Sequence, residues 1–328
     1  MGDAPPDAAI HPLRMAASVV AALAVGVSIA TQTRINAELG ARLGDGATAA
    51  LISFGSGLVI VLIAALALPG GRRGLATLGS VLRHRRIPWW YTLGGVAGAM
   101  FVLGQGLLGA VLGVALFTVG IVAGQTTSSL LIDRRGLGTM PARRITPQRL
   151  VGAALAVAAV AVAGLGELTT KVPVALVVVP VAIGLLLGAQ SALNGQVRVA
   201  SGSALVATTV NFVVGTAVLL VVALVHAGAA GWPTALPTAP WLYLGGAVGV
   251  AFIAAQTVIV RFLGVLVMGL AVLAGQRAAA VLADLLLPTA GRTLTTVTVV
   301  GAAVTFLAVG VAAIPARRIR ATSGIAPR

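Results

Sequence analysis

The chain has 328 residues, of which 59% are apolar and 9% charged, and its mean hydropathy is +1.06. Soluble domains are about 45–50% apolar and about 25% charged, so too little polar surface is present to wrap a water-soluble globule of this size. The net charge of +15 does not point to nucleic acid: the arginines form short clusters between apolar runs, and aromatic residues reach only 4%, too few for a basic stacking groove. Cysteine is absent, which excludes disulfides, cysteine–zinc sites and thiol nucleophiles.

Residues 1–14 are polar, contain Pro5, Pro6 and Pro12, and read as a cytoplasmic N-terminal tail ending at Arg14. Apolar runs long enough to cross about 30 Å of hydrocarbon as helices follow at 15–35, 47–68, 89–111, 113–132, 149–167, 173–194, 203–226, 241–262, 264–287 and 295–314. The stretches 89–132 and 241–287 are each too long for one span and are expected to break near Gly113 and Gly264. The first run has the basic flank of a signal peptide. It is long, no cleavage motif closes it, and its polar end recurs at Gln190 and Asn194, so it reads as a span. Residues 317–328 form a basic cytoplasmic tail. Ten spans put both termini on one side. Seventeen of the 22 basic residues fall there, against 5 elsewhere (Arg34, Arg42, Lys171, Arg277 and Arg292). The positive-inside rule then places both termini in the cytoplasm of a multi-pass protein of the cell membrane. Trp89, Trp90, Tyr91, Trp241 and Tyr243 open spans and read as interfacial anchors.

The chain repeats itself. Gln32, Asn36, Phe54 and Gly57 recur at an offset of 158 as Gln190, Asn194, Phe212 and Gly215. Trp90, Gly94, Gly95, Gly98, Gln105, Gly124, Gln125 and Asp133 recur at an offset of 151 as Trp241, Gly245, Gly246, Gly249, Gln256, Gly275, Gln276 and Asp284. The change of offset falls in a connection, where deletions are tolerated. Six of the eight glutamines form three such pairs, which shared apolar composition does not produce and duplication does. The expected units are a first five-helix repeat at 15–168 and a second at 172–316. An odd number of spans per copy makes the second inverted. The charges agree: loop 69–88 carries five arginines and its counterpart 227–240 carries no Lys or Arg. The expected fold is an all-α integral membrane protein with ten transmembrane helices as two inverted five-helix repeats, a recurring plan of secondary transporters.

Several motifs are family-like: Gln32-x-x-x-Asn36, Ser53-Phe54-x-x-Gly57, Trp89-Trp90-x-x-x-Gly94-Gly95-x-x-Gly98, Gly124-Gln125 and Asp133-x-x-Gly136. With these the sequence resembles the drug/metabolite transporter superfamily, and within it the YdcZ-like inner-membrane exporter family in a fused two-copy form. The likeness covers residues 14–168 closely and 172–316 more loosely. In the second copy Asn211 replaces Ser53, Leu242 follows Trp241, and Asp284 lacks the following glycine. The resemblance implies a ten-helix inverted-repeat carrier of the cytoplasmic membrane and implies no substrate.

Polar side chains within spans should face the bundle interior, because an unpartnered amide or hydroxyl in hydrocarbon costs several kcal/mol. Gln32 and Asn36 share a helix face, as do Gln190 and Asn194. If the first helices of the two copies cross, these four amides converge near the centre. They would there suit a neutral or zwitterionic solute, since amides donate and accept; the competing reading is interhelical glue. Ser53 and Asn211 occupy equivalent positions and are counted with them. Gln125, Ser129 and Asp133 lie four apart on one face, as do Gln276, Ala280 and Asp284. Such a stripe either lines a path or ends in a capped helix, with Asp133 reaching water beside Arg134 and Arg135. Gln105 and Gln256 sit mid-span between small residues and serve lining or packing equally. Arg277 lies within a span and forms a charge pair with Asp284 or holds an anionic group. Gly94-x-x-x-Gly98, Gly120-x-x-x-Gly124 and Gly245-x-x-x-Gly249 read as close-packing faces.

His11, His84 and His226 lie outside spans or at their ends, and H-E-x-x-H, G-x-S-x-G and paired carboxylates within a span are all absent. No catalytic residue, metal set or cofactor motif is expected, so the chain reads as no enzyme. The expected function is secondary transport, in the exporting direction, of a small organic solute or drug-like metabolite by alternating access. The alternative is a channel or a non-transporting membrane scaffold subunit. The expected partners are the lipid bilayer and a small-molecule substrate, with a homodimer allowed and no nucleic acid.

Overall fold

The computed structural model describes residues 12–112, 114–164, 174–286 and 296–313. The tails, the link 165–173 with Lys171, and Gly113 and Arg292 lie outside the described residues. All regular secondary structure among the described residues is helical. In chain order the helices are α1 (Pro12–Leu43), α2 (Gly46–Ala67), α3 (Pro69–Arg83), α4 (Gly94–Leu112), α5 (Val114–Arg135), α6 (Pro147–Gly164), α7 (Val174–Ser201), α8 (Ala204–Ala230), α9 (Gly245–Leu286) and α10 (Thr296–Ala313).

Among the described residues five segments are long and apolar enough to cross a membrane: Leu13–Leu43, Gly46–Ala67, Val178–Ser201, Ala204–Ala230 and Pro240–Ala279. Their outward faces stay apolar. Val59, Ile63 and Leu66 of α2 and Val221, Leu224 and Val225 of α8 are all exposed. Bands of this kind are a liability in water and suit lipid. This is an all-α membrane protein.

Two elements differ from the sequence reading. The arginine-rich loop 69–88 is mostly the helix α3, which Pro69 opens at a position where its missing N–H costs nothing. Gly71, Gly74 and Leu78 are buried along one stripe, with Leu75 and Leu82 packed beside them, while Arg72 and Arg73 stay exposed. Glycine and arginine hid this amphipathic pattern from a search for apolar runs. The first span does not end near residue 35 either. α1 continues to Leu43, and Glu38 and Arg42 pair across one turn at 2.8 Å.

The packing between the two halves of the chain is reciprocal. α1 lies along α9, and α7 lies along α5. At the first crossing Gly26 abuts the backbone of Val272–Gln276; at the second, Gly184 abuts that of Ile121–Gln125. Neither glycine has room for a Cβ, so the backbones touch directly. α2 packs on α8, with Phe54 and Phe212 in contact at 5.4 Å between ring centroids. Each of these rings also fills the space beside the other helix's glycine, Gly215 and Gly57. α6 packs on α10.

The expected break at Gly264 is present as one residue with φ +76° and ψ 173° inside α9. Only glycine adopts such a conformation without strain. A Cβ there would lie 3.0 Å from both the Asp133 carboxylate and Arg143 Nε. Gly264→Ala is therefore expected to lower unfolding stability by about 1–3 kcal/mol from the backbone alone. Gly310→Ala, where a Cβ meets open space, should be neutral. Thermal unfolding of the two purified variants in one detergent checks this, and equal melting temperatures would refute the account.

Candidate functional site

The paired amides occupy two separate clusters. In the first, Gln32 and Asn36 of α1 and Ser53 of α2 face Gly245 and Gly249 of α9, and Gln32 Nε2 donates to the Gly245 carbonyl at 2.8 Å. In the second, Gln190 and Asn194 of α7 and Asn211 of α8 face Gly94 and Gly98 of α4. Asn211 Oδ1 accepts from Gln190 Nε2 at 3.0 Å and from Asn194 Nδ2 at 2.9 Å.

The expected convergence of four amides at one centre does not occur, because α1 packs on α9 and α7 on α5 rather than on each other. Each cluster instead sits where one half of the chain meets the glycine face of the other. The Ser53/Asn211 difference has a visible consequence. The longer Asn211 reaches both amides of its cluster. Ser53 Oγ and Asn36 Oδ1 are left buried without partners.

Gln125, Thr126 and Ser129 line a chamber between α5 and the part of α9 after Gly264, together with Leu266, Gly269 and Leu270. Its volume is about 10 Å³, room for one water. Ser129 is 1% exposed and its Oγ has no partner. Gly269 leaves Gln125 space to lie across the gap. Gln276 and Gln256 are half-buried in α9 and do not line this chamber. The side chains of Gln105 and Asp284 lie outside the described residues, so the Arg277–Asp284 pair does as well; Arg277 is half-buried.

Asp133 does not reach water. It is 3% exposed and forms an ion pair with Arg149, at the start of α6. Its carboxylate also accepts the backbone N–H groups of Val265 at 2.9 Å and Leu266 at 3.2 Å. It therefore caps the helix that restarts after Gly264, where the helix dipole favours negative charge. Arg143 does the converse. Its Nη2 donates to the carbonyls of Phe262 at 3.1 Å and Arg261 at 3.4 Å, at the end of the preceding helical stretch. Burial pushes the Arg143 guanidinium below its ordinary pKa, helped by the like charge of Arg149 and opposed by Asp133. The sequence held one signal of this node: Asp133 recurs as Asp284 at the same offset that relates the break glycines Gly113 and Gly264.

The described residues form a helical membrane protein whose halves meet around a small polar chamber. The profile of the family described as "Putative inner membrane exporter, YdcZ" matches residues 17–162 and again 175–312. The chain belongs to this family, in a two-copy form. No curated protein matches it. A solved crystal structure, described simply as that of a protein, aligns at TM-score 0.60 over 92% of this chain and 97% of the other, with 19% identity. That likeness concerns the fold alone.

Removing one partner of the Asp133–Arg149 pair leaves a buried unpaired charge, a loss of about 3–5 kcal/mol. Asp133→Asn and Arg149→Met should each be strongly destabilising, and the double variant should lose less than their sum. A double-mutant cycle by chemical unfolding measures this; strict additivity would mean the two side chains act separately.

Proposed function

We propose that the chain is a secondary transporter that exports a small organic solute by alternating access. In this reading α1, α2, α4, α5 and α6 make five crossings, and α7, α8, the two parts of α9 and α10 make five more in inverted orientation. The observation that carries the reading is the reciprocal packing. The Gly26 crossing of α1 on α9 is matched by the Gly184 crossing of α7 on α5, and the Gly245 face by the Gly94 face. Two equivalent but opposed sets of contacts can exchange roles as one half rocks on the other, exposing a central site to each side in turn. Family membership supports export as the direction.

The best candidate for the site is the chamber of Gln125, Thr126 and Ser129. It lies between the halves, it holds polar groups that donate and accept, and Ser129 Oγ awaits a partner there. Leu266, Leu270 and Leu273 wall it, which fits an occluded conformation better than an open pore. Such a lining suits a neutral or zwitterionic solute. The amide clusters are assigned to holding the halves in register, with Gln32 and Asn211 as the main hydrogen-bonding groups.

Two experiments separate the parts of this reading. The chain has no cysteine, so single cysteines report cleanly. Ser80→Cys and Thr234→Cys, both exposed, should react with impermeant maleimide from opposite faces of intact cells. Reaction from the same face ends the inverted-repeat proposal. For the site, small metabolites and cationic drugs that raise the melting temperature of the purified protein should fail to do so with Gln125→Leu, while Gln32→Leu should lower basal stability by about 1 kcal/mol and keep the ligand response. The reverse pattern would move the site to the amide clusters.

A further inference from the structure

A second cavity of about 300 Å³ lies where loop 136–146, the last turns of α7 and the stretch of α9 before Gly264 meet. That size falls at the lower end of small-molecule pockets. Three arginines line it, Arg143, Arg198 and Arg261, together with Thr139 and Gln196. No Asp or Glu is among its lining residues. Among the described residues neither Arg198 nor Arg261 has a carboxylate partner.

Gln196 is the informative residue. It is 4% exposed. Its Oε1 accepts both the backbone N–H of Thr139 at 2.9 Å and the Thr139 hydroxyl at 3.1 Å. Those two bonds fix which way the amide faces and leave Nε2 as a buried donor with no acceptor. Orphaned buried donors are uncommon and call for an explanation. An excess of arginine on one face follows from membrane orientation alone. That explanation does not account for an inward-turned amide donor beside three guanidiniums.

We propose that this cavity binds an anion bearing a phosphate group. Its ionic and amide groups are all donors or cations, the complement of an oxyanion, and the arginine fork matches phosphate oxygens in pairs. Three guanidiniums favour a dianion over a single carboxylate. The group is carried by a soluble phosphate ester or by a phospholipid headgroup. The part of the site that α7 and α9 supply has no counterpart in the first copy. By the repeat offsets Gln196, Arg198 and Arg261 correspond to Glu38, Gly40 and Ala110, which make no basic cluster. Arg143 also holds the carbonyls at the break in α9, so a bound anion would tie loop 136–146 to both α7 and α9.

The test uses the full chain, purified in neutral detergent and stripped of lipid, at constant ionic strength against chloride. Inorganic phosphate, glycerol phosphate and dioctanoyl-phosphatidylglycerol are titrated by calorimetry. At least one should bind saturably. Preference for glycerol phosphate identifies a soluble ester, and preference for the phosphatidylglycerol identifies a headgroup. R198Q/R261Q should weaken binding about tenfold or more. Gln196→Met, which keeps the charge, should weaken it measurably by itself and guards against misfolding of the double variant. R72Q/R73Q on exposed α3 should leave it unchanged. Binding of no probe above chloride overturns the proposal, and so does equal weakening by R72Q/R73Q. Flux is not measured, so either result leaves the transport reading untouched.

Discussion

A helix that stops and restarts within a packed bundle exposes amide donors and carbonyl acceptors that water does not reach, and each must find a partner inside the protein. At Gly264 one carboxylate and one guanidinium supply them. Asp133 takes the N–H groups of Val265 and Leu266, and Arg143 takes the carbonyls of Arg261 and Phe262. Arg149 then neutralises Asp133. The arrangement joins α5, α6, the loop between them and both parts of α9, so the architecture on the arginine-rich face depends on one buried acid. Substitution there removes caps and a counter-charge together.

Elsewhere the same constraint is met by pairing amides with glycine. A glycine face lets a neighbouring helix bring its side-chain amide against backbone, where an alanine would hold it off. The Gly245 and Gly94 faces use this in matched fashion. The outcome is two seams of buried amides and, apart from them, the interface of α5 with α9, where the chamber is small and Ser129 is unsatisfied. Buried polar atoms without partners remain in both places, Asn36 Oδ1, Ser53 Oγ and Asn211 Nδ2 in the seams and Ser129 Oγ at the chamber; what sets the chamber apart is the space beside its orphaned hydroxyl.

Much of this was legible in the sequence. The apolar runs marked where helices lie, since length and hydropathy decide a span with little help from tertiary context. The break at Gly264 followed from a run too long for one crossing, and the repeat followed from glutamines too rare to pair by chance. The reach of the amides was not legible. Gln32 and Asn36 share a face with Gln190 and Asn194 only in register, and register along one chain does not say which helices cross. Asp133 misled for a related reason. Five arginines follow it within 16 residues, Arg134, Arg135, Arg143, Arg144 and Arg149, and the ion pair forms with the most distant one. α3 escaped because its inward stripe is built of glycine as much as leucine.

Duplication gives a carrier two equivalent halves, yet equivalent halves alone cannot favour one direction. The sequence keeps the glycines of the crossings and breaks the equivalence in the side chains around them. The glycine contacts at Gly26 and Gly184 are matched, as are those at Gly95 and Gly246. The differences are chemical: Thr126 against Arg277, Ser53 against Asn211, and Glu38, Gly40 and Ala110 against Gln196, Arg198 and Arg261. Each swap changes charge or hydrogen-bonding reach while leaving the helix crossings alone. On the transport reading proposed above, directional behaviour would have to come from positions of this kind, because they would give two packing states different energies while the shared crossings would let both states form.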